Sequence, residues 1–181
     1  MLDNSIDHLE DDLALAYAEA KANWKRDHPA GPWPELNETL RNEAVQTAYY
    51  ARSRQPYAEV ARLYKAAGLY EIDAKEAATW ATNAQYGQSA HNARRGSRKA
   101  RAFDVRFRVL VAGVAGPNID WDGPWYTMFG GYMLAAAARL LAAKKITRKI
   151  VWGNDWNGNG RRDEKSYDPP HYELKGWAAM V

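Results

Sequence analysis

The first strong pattern along the chain is helical. Apolar side chains recur at Ile6, Leu9, Leu13, Ala16, Tyr17, Ala20 and Trp24, the three-and-four spacing that gathers one stripe on one helix face. This predicts an amphipathic helix from about Ile6 to Lys25, with Ser5 or Asn4 as its N-cap. The prolines of HPAGPWPE end it. A short extended piece is predicted at Leu36 to Leu40. NEAVQTAYYARSR then reads as a helix with Ala44, Ala48 and Ala51 on one face and Val45 and Tyr49 beside them. Tyr57 to Ala67 and Ala74 to Asn83 read as two further short helices.

From Gln85 the pattern changes. YGQSAHN is polar and turn-like, and ARRGSRKARA is a basic loop. AFDVRFRVLVAG alternates apolar and polar side chains, as a half-buried strand does. VAGPNIDWDGP carries turn signals and is expected to be a loop. Trp125 to Lys144 is a long helix rich in Ala and Leu, and Lys149 to Trp152 a short strand. NDWNGNGRRDEKSYDPP is a loop, and HYELKGW a final strand. Helices first and strands later predict an α+β fold, with helices packed on a small antiparallel sheet. No internal repeat is visible.

Composition narrows the chemistry more than the fold. A chain of 181 residues, 46% hydrophobic and 26% charged, is sized and balanced for one globular domain, with no second domain expected. Cysteine is absent, so any metal must sit on His, Asp or Glu, and there are four His to choose from. The acidic, amphipathic N-terminus lacks the basic and apolar regions of a secretory signal, and no apolar run is long enough to cross a bilayer. No signal peptide and no membrane insertion are therefore expected.

Two histidines and one aspartate stand out by position. His91 lies in GQSAHN just ahead of the alternating strand, and Asp104 interrupts the apolar start of that strand. His171 opens the last strand, three residues after Asp168. Singly, a loop histidine or a strand-edge carboxylate is ordinary; the combination carries the meaning. His8 and His28 have no companions at ligand spacing and read as surface residues.

The ordered motifs Ser89-Ala90-His91, Ala102-Phe103-Asp104 and Asp168-Pro169-Pro170-His171 resemble the zinc peptidoglycan peptidases. That group comprises D-alanyl-D-alanine carboxypeptidases and L-alanyl-D-glutamate endopeptidases, phage endolysins among them. TLRNEAVQTAYYARSR resembles the family's T-x-R-S-x-x-x-Q-x-x-L-Y-A-x-G-R helix, with Arg41 and Gln46 at its marked positions, and WGNDW resembles its W-G-G-D-W. The matches run in order from about Thr39 to Leu174. The stretch from His91 to Asp104 is longer than in the family pattern.

The resemblance implies the Hedgehog/DD-peptidase fold and zinc held by His91, Asp104 and His171. It makes Asp168 the general base and Arg41 the residue that holds substrate and developing oxyanion, with Ser89 and Gln46 as substrate-binding residues and Asn92 behind the ligands. Catalytic zinc takes three protein ligands from His and carboxylate and leaves a position open. A positioned base such as Asp168 is something a purely structural metal site does not need. The implied activity is cleavage of the peptidoglycan stem peptide between L-Ala and D-Glu by a monomer. It would accumulate in the host cytoplasm before reaching the wall. Cleavage at D-Ala-D-Ala, and a non-catalytic metal- or polyanion-binding protein on the same fold, are the alternatives.

Two further signals remain. Asp155, Asn157, Asn159, Gly160 and Asp163 follow the spacing of a calcium loop, but Ser166 stands where the bidentate Glu belongs. NGNG is equally ordinary turn chemistry. The basic run Arg94, Arg95, Arg98, Lys99, Arg101, Arg106 and Arg108 fits a net charge of +3. With few interleaved aromatics, it points to an electrostatic assist to wall binding rather than to nucleic acid as partner.

Overall fold

The computed structural model describes residues 2–93, 96–111, 114–118, 123–161 and 167–180. The chain is an α+β domain. Its antiparallel strands are β1 (Pro34–Glu38), β2 (Ala102–Val111), β3 (Val114–Asn118), β4 (Ile150–Trp152) and β5 (His171–Leu174). The path across the sheet is β1-β2-β5-β4, with β3 pairing β2. The helices are α1 (Asp11–Asp27), α2 (Glu43–Ala51), α3 (Tyr57–Ala66), α4 (Ala74–Ala77) and α5 (Pro124–Ala142).

One face of the sheet is dry. The stripe Leu13, Ala16, Tyr17, Ala20 and Trp24 of α1 and the α5 residues Tyr126, Phe129, Met133 and Leu140 pack on Phe103, Val105, Phe107, Trp152 and Tyr172. Burying this apolar area is the main force holding α1, α5 and sheet together. Period-two alternation then turns Asp104, Arg106, His171 and Glu173 to the opposite face. A smaller core of Val45, Ala48, Val60, Tyr64 and Ile72 joins α2 and α3 beyond it.

Several predicted elements shift. The first helix does not run unbroken from Ile6: a 3-10 turn at Ile6–His8, capped by Ser5, precedes α1. Between them Leu9 bridges to Ala100, and the Glu10 N–H donates to the Ala100 carbonyl at 2.9 Å. The helix expected to reach Asn83 stops at Ala77, because the Thr79 N–H and hydroxyl both turn back on the Glu76 carbonyl. Part of the loop expected from Val114 is strand β3, whose Gly-Pro pair is tolerated at a sheet edge. In α2, Ala44 faces water while Gln46 is buried, so the apolar face is rotated from the expected one.

Two glycines allow close approaches. A Cβ on Gly130 of α5 would lie 2.6 Å from the Trp152 indole, and one on Gly153 would lie 2.3 Å from the Asp168 carbonyl oxygen. The indole N–H of Trp152 donates to the Pro169 carbonyl at 2.8 Å, and Val105 donates to Pro170 at 3.0 Å. The DPPH segment is thus clamped to the sheet from both sides.

Candidate metal centre and cleft

Asp104 lies where three strands meet. Its backbone partners are His171 on β5 and Glu38 on β1. A bulge between Leu36 and Glu38 changes the register of β1, so Glu38 stands beside Asp104 rather than continuing the core parity of Leu36. His91 reaches the same place from the loop before β2. The Arg41 N–H donates to the His91 carbonyl at 2.9 Å, and the Asn92 amide donates to the Arg41 carbonyl at 2.9 Å. Asn92 also accepts from the Gly87 N–H at 2.9 Å, and Ser89 Oγ accepts from the His91 N–H at 3.3 Å.

The three side chains converge. His91 Nε2 is 3.3 Å from His171 Nδ1, which is 3.0 Å from Asp104 Oδ1, and the third edge, His91 Nε2 to Asp104 Oδ1, is 3.5 Å. Bond lengths of about 2.0–2.1 Å put neighbouring ligand atoms of a tetrahedral zinc site roughly 3.3–3.4 Å apart. The donor set and its spacing therefore fit a metal ion, and these residues form a group that could hold one.

Both rings are oriented from behind. His91 Nδ1 is 3.0 Å from the Thr39 carbonyl oxygen, and His171 Nε2 is 3.2 Å from a Glu173 carboxylate oxygen. Carbonyls and carboxylates only accept, so each of those nitrogens carries its proton. With a metal bound, His91 Nε2 and, once its proton is released, His171 Nδ1 would direct their lone pairs at the shared point.

The charge pattern agrees. Burial works against ionising Asp104, but His91 and His171 outweigh it and hold its carboxyl well below the usual range. Burial likewise opposes a charged His171 ring, yet hydrogen bonds to Asp104 and Glu173 push it up to about 10. Asp168 sits at the edge of the group and is exposed. Desolvation on its protein side and the neighbouring Asp104 charge raise its carboxyl, against His171, His91 and Arg41.

The three converging side chains sit in a cleft of about 620 Å³. Tyr167 to Pro170 form one wall, and Arg41, Tyr49, Arg52, Tyr70 and Thr82 another. Arg41 donates to Glu38 through Nε at 3.0 Å and through a second guanidinium nitrogen, donates to Gln46 at 3.1 Å, and lies over the Tyr49 ring at 4.9 Å. Three of its five N–H groups are used in these bonds, and the guanidinium lines the cleft. Ser89 also lines the cleft. Gln46 does not reach it in the expected way: fully buried, it supports Arg41 and donates to the Ala84 carbonyl at 2.6 Å.

No role for Glu38, Tyr49 or Glu173 follows from the sequence patterns, and Thr39 enters them only as the first residue of the TLRN match. Trp156, the last residue of the WGNDW match, brings its ring centre to 5.4 Å from that of His171. His8, read from sequence as a surface residue, is half-buried and bonded to Asp3, and His28 packs on Trp24 at 4.2 Å. In the loop after β4, Asp155 accepts from Asn159 and Gly160, Asn157 from Asn159, and Asn159 from Arg161. These oxygens close the turn on its own backbone; Asp163 and Ser166 lie outside the described residues.

The basic run is not the open patch expected. Lys99 pairs with Asp11, and Arg101 is buried and donates to Asn92, Trp177 and Met180 carbonyls. Arg106 and Arg108 both face Glu35, at 3.1 and 3.6 Å. Arg98 is exposed, while Arg94 and Arg95 lie outside the described residues. Alternation along β2 turns these arginines onto strand neighbours, which the loop-like composition conceals. Among the described residues no helix is long and apolar enough to cross a membrane.

No protein-family model matches the sequence, and no curated protein matches it. Among solved structures, the chain is similar to the L-Ala D-Glu endopeptidase ChiX of Serratia marcescens. The TM-score is 0.47 at 18% identity, over 97% of this chain and 87% of that one.

Proposed function

We propose that the chain is a zinc-dependent peptidase that cuts the stem peptide of bacterial peptidoglycan between L-Ala and D-Glu, as a phage endolysin does. The observation that carries this reading is the triangle of His91 Nε2, Asp104 Oδ1 and His171 Nδ1 at 3.0–3.5 Å, opening into a cleft that also holds Asp168. Two imidazoles and one carboxylate with an open side are the ligand set of catalytic rather than closed structural zinc. When bound there, zinc would polarise a carbonyl and acidify a water. Asp168, with its raised carboxyl, would take the proton of the attacking water and pass it to the leaving amine. Arg41, held by Glu38 and Gln46, would direct its remaining N–H groups at the substrate oxygen that gains charge. The substrate class rests on the family resemblance of the motifs around Arg41, His91, Asp104 and His171. The enzyme would work on the wall after release from the host cytoplasm.

Digestion of purified peptidoglycan, with mass spectrometry of the products, tests this. The zinc-loaded native chain should leave L-Ala on the glycan and free the amino group of D-Glu. Asp168→Ala should retain zinc and lose turnover. Release of terminal D-Ala alone would move the reading to a carboxypeptidase, and no cleavage at all would end the peptidase reading.

A further inference from the structure

Among the described residues, four of the five exposed aromatic side chains lie on cleft-lining segments or next to them in sequence, and Tyr57 lies apart. Tyr70 and Tyr167 are exposed and line it. Trp80 and Tyr86, also exposed, stand on the segment that supplies Ala81, Thr82 and Ser89 to its wall. Trp80 is 54% exposed, yet it is not loose. Its indole N–H donates to Asn83 Oδ1 at 3.0 Å, and the same oxygen accepts from Arg54 at 3.2 Å. Arg54 in turn donates to the Tyr50 and Thr82 carbonyls at 2.8 and 3.0 Å and lies over the Tyr50 ring at 4.2 Å. The result is an indole pinned at its polar edge with its surface left in water, next to residues of the cleft wall. An exposed indole forgoes the stabilisation that burial would give, and fixing it in place reduces the entropy a ligand must remove.

The substrate limits what such a surface can meet. Close to an L-Ala–D-Glu bond the stem peptide offers a methyl group and carboxylates, little for an aromatic plane. The amino sugar that carries the peptide offers a ring face of C–H groups edged by hydroxyl and acetamido groups. It is joined to L-Ala through a lactyl group, so it lies roughly two residue lengths, about 7 Å, from the cut bond. At that distance the sugar would lie outside the group of His91, Asp104 and His171 itself. Asn83 and Arg54 are polar partners of the kind the sugar's edge requires.

We infer that Trp80, framed by Asn83 and Arg54, is a stacking subsite for the amino-sugar ring next to the cut peptide, so that glycan-borne stem peptides are taken in preference to free ones. This rests on the peptidase reading for its biological sense, but binding at Trp80 can be measured without turnover. The probe is a chitin oligosaccharide, titrated into the zinc-loaded chain while indole N–H resonances are followed by NMR. The Trp80 signal is identified by its loss in Trp80→Phe. A saturable shift of that signal is expected, with oligosaccharide binding kept in Trp80→Phe, which retains a flat ring, and lost in Trp80→Ala. A second readout is the ratio of kcat/KM for glycan-borne over free stem peptide. It should exceed one by roughly three- to tenfold in the native chain, the size of an aromatic contact, and fall toward one in Trp80→Ala. An unmoved Trp80 resonance, or oligosaccharide binding that survives Trp80→Ala, overturns the inference and leaves the peptidase reading intact. Sugar binding without cleavage of any wall peptide would do the reverse.

Discussion

Glu173 accepts the Nε2–H of His171 at 3.2 Å from two positions along the same strand. Residues i and i+2 of a strand share a face, so β5 supplies both a ligand and the group that fixes its tautomer. Removing such a partner usually lowers metal affinity 10–100-fold. Glu173→Ala should therefore weaken zinc binding by roughly 10–100-fold. Glu173→Gln, which keeps an accepting oxygen, should recover part of it. Competition against a chromophoric chelator reads both; equal affinity in all three proteins would remove Glu173 from the site.

Part of this site could be read in advance and part could not. The alternation of AFDVRFRVLV announced β2 and set Asp104 apart from Phe103 and Val105, and DPPH marked His171 at the start of a strand. Thr39 contributes a backbone carbonyl, which no side-chain pattern reveals. Glu38 reaches the site through a bulge, and bulges shift parity without a sequence signature of their own. Gln46 sat at a marked position, but its burial behind Arg41 depends on how α2 rotates against α3. The pairing of Arg106 and Arg108 with Glu35 needed the β1–β2 register, which local composition does not contain.

The support behind His91 extends to the N-terminal segment. The Thr39 carbonyl that holds His91 Nδ1 belongs to a residue whose N–H donates to the Asp3 carbonyl at 2.7 Å and whose hydroxyl donates to the Asp3 carboxylate at 2.6 Å. Asp3→Ala should loosen Thr39, lowering zinc affinity severalfold and stability by about 1 kcal/mol. Thr39→Val, which deletes the same side-chain bond from the other end, should match its loss of zinc affinity, with a smaller loss of stability because Asp3 also bonds His8 and the Ser5 N–H. A double variant no worse in zinc affinity than either single one would identify the shared bond as the cause; additive losses would refute it.

Gly153 has no room for a side chain. Its N–H donates to the His171 carbonyl at 2.8 Å and its carbonyl accepts from the Asp168 N–H at 2.7 Å, while an added Cβ would lie 2.3 Å from the Asp168 carbonyl oxygen. Gly153→Ala must therefore displace Asp168, and with it the DPPH segment that leads into His171 at the start of β5. Destabilisation of about 1–3 kcal/mol is expected, with a larger fractional loss of turnover than of folded protein. Urea unfolding and a peptidoglycan turbidity assay compare the two; wild-type turnover would mean that the DPPH segment tolerates displacement.

The proton on His171 competes with a metal. Without a cation, hydrogen bonds to Asp104 and Glu173 overcome the burial penalty and raise the ring to about 10, so at neutral pH both ring nitrogens are protonated. Metal binding at Nδ1 must release one of those protons, so affinity should rise about tenfold per pH unit up to the region of 10 and flatten beyond it. The same shift fixes the stability of the metal-free chain. A folded-state value above the ordinary 6.5 stabilises fully below that value, and the gain is lost as pH climbs through about 10. Asp104 is lowered instead, so its contribution is present above its ordinary 3.8 and is lost as pH falls toward its depressed folded value. On these two groups the metal-free protein should accordingly be most stable between about 3.8 and 6.5, lose stability progressively from there toward about 10, and zinc should extend the alkaline side. Calorimetric titration of zinc in buffers of different ionisation enthalpy should return about one proton released per metal at pH 7. A buffer-independent enthalpy would mean that His171 is already neutral there, and that Asp104 and Glu173 do not hold its proton as the geometry requires.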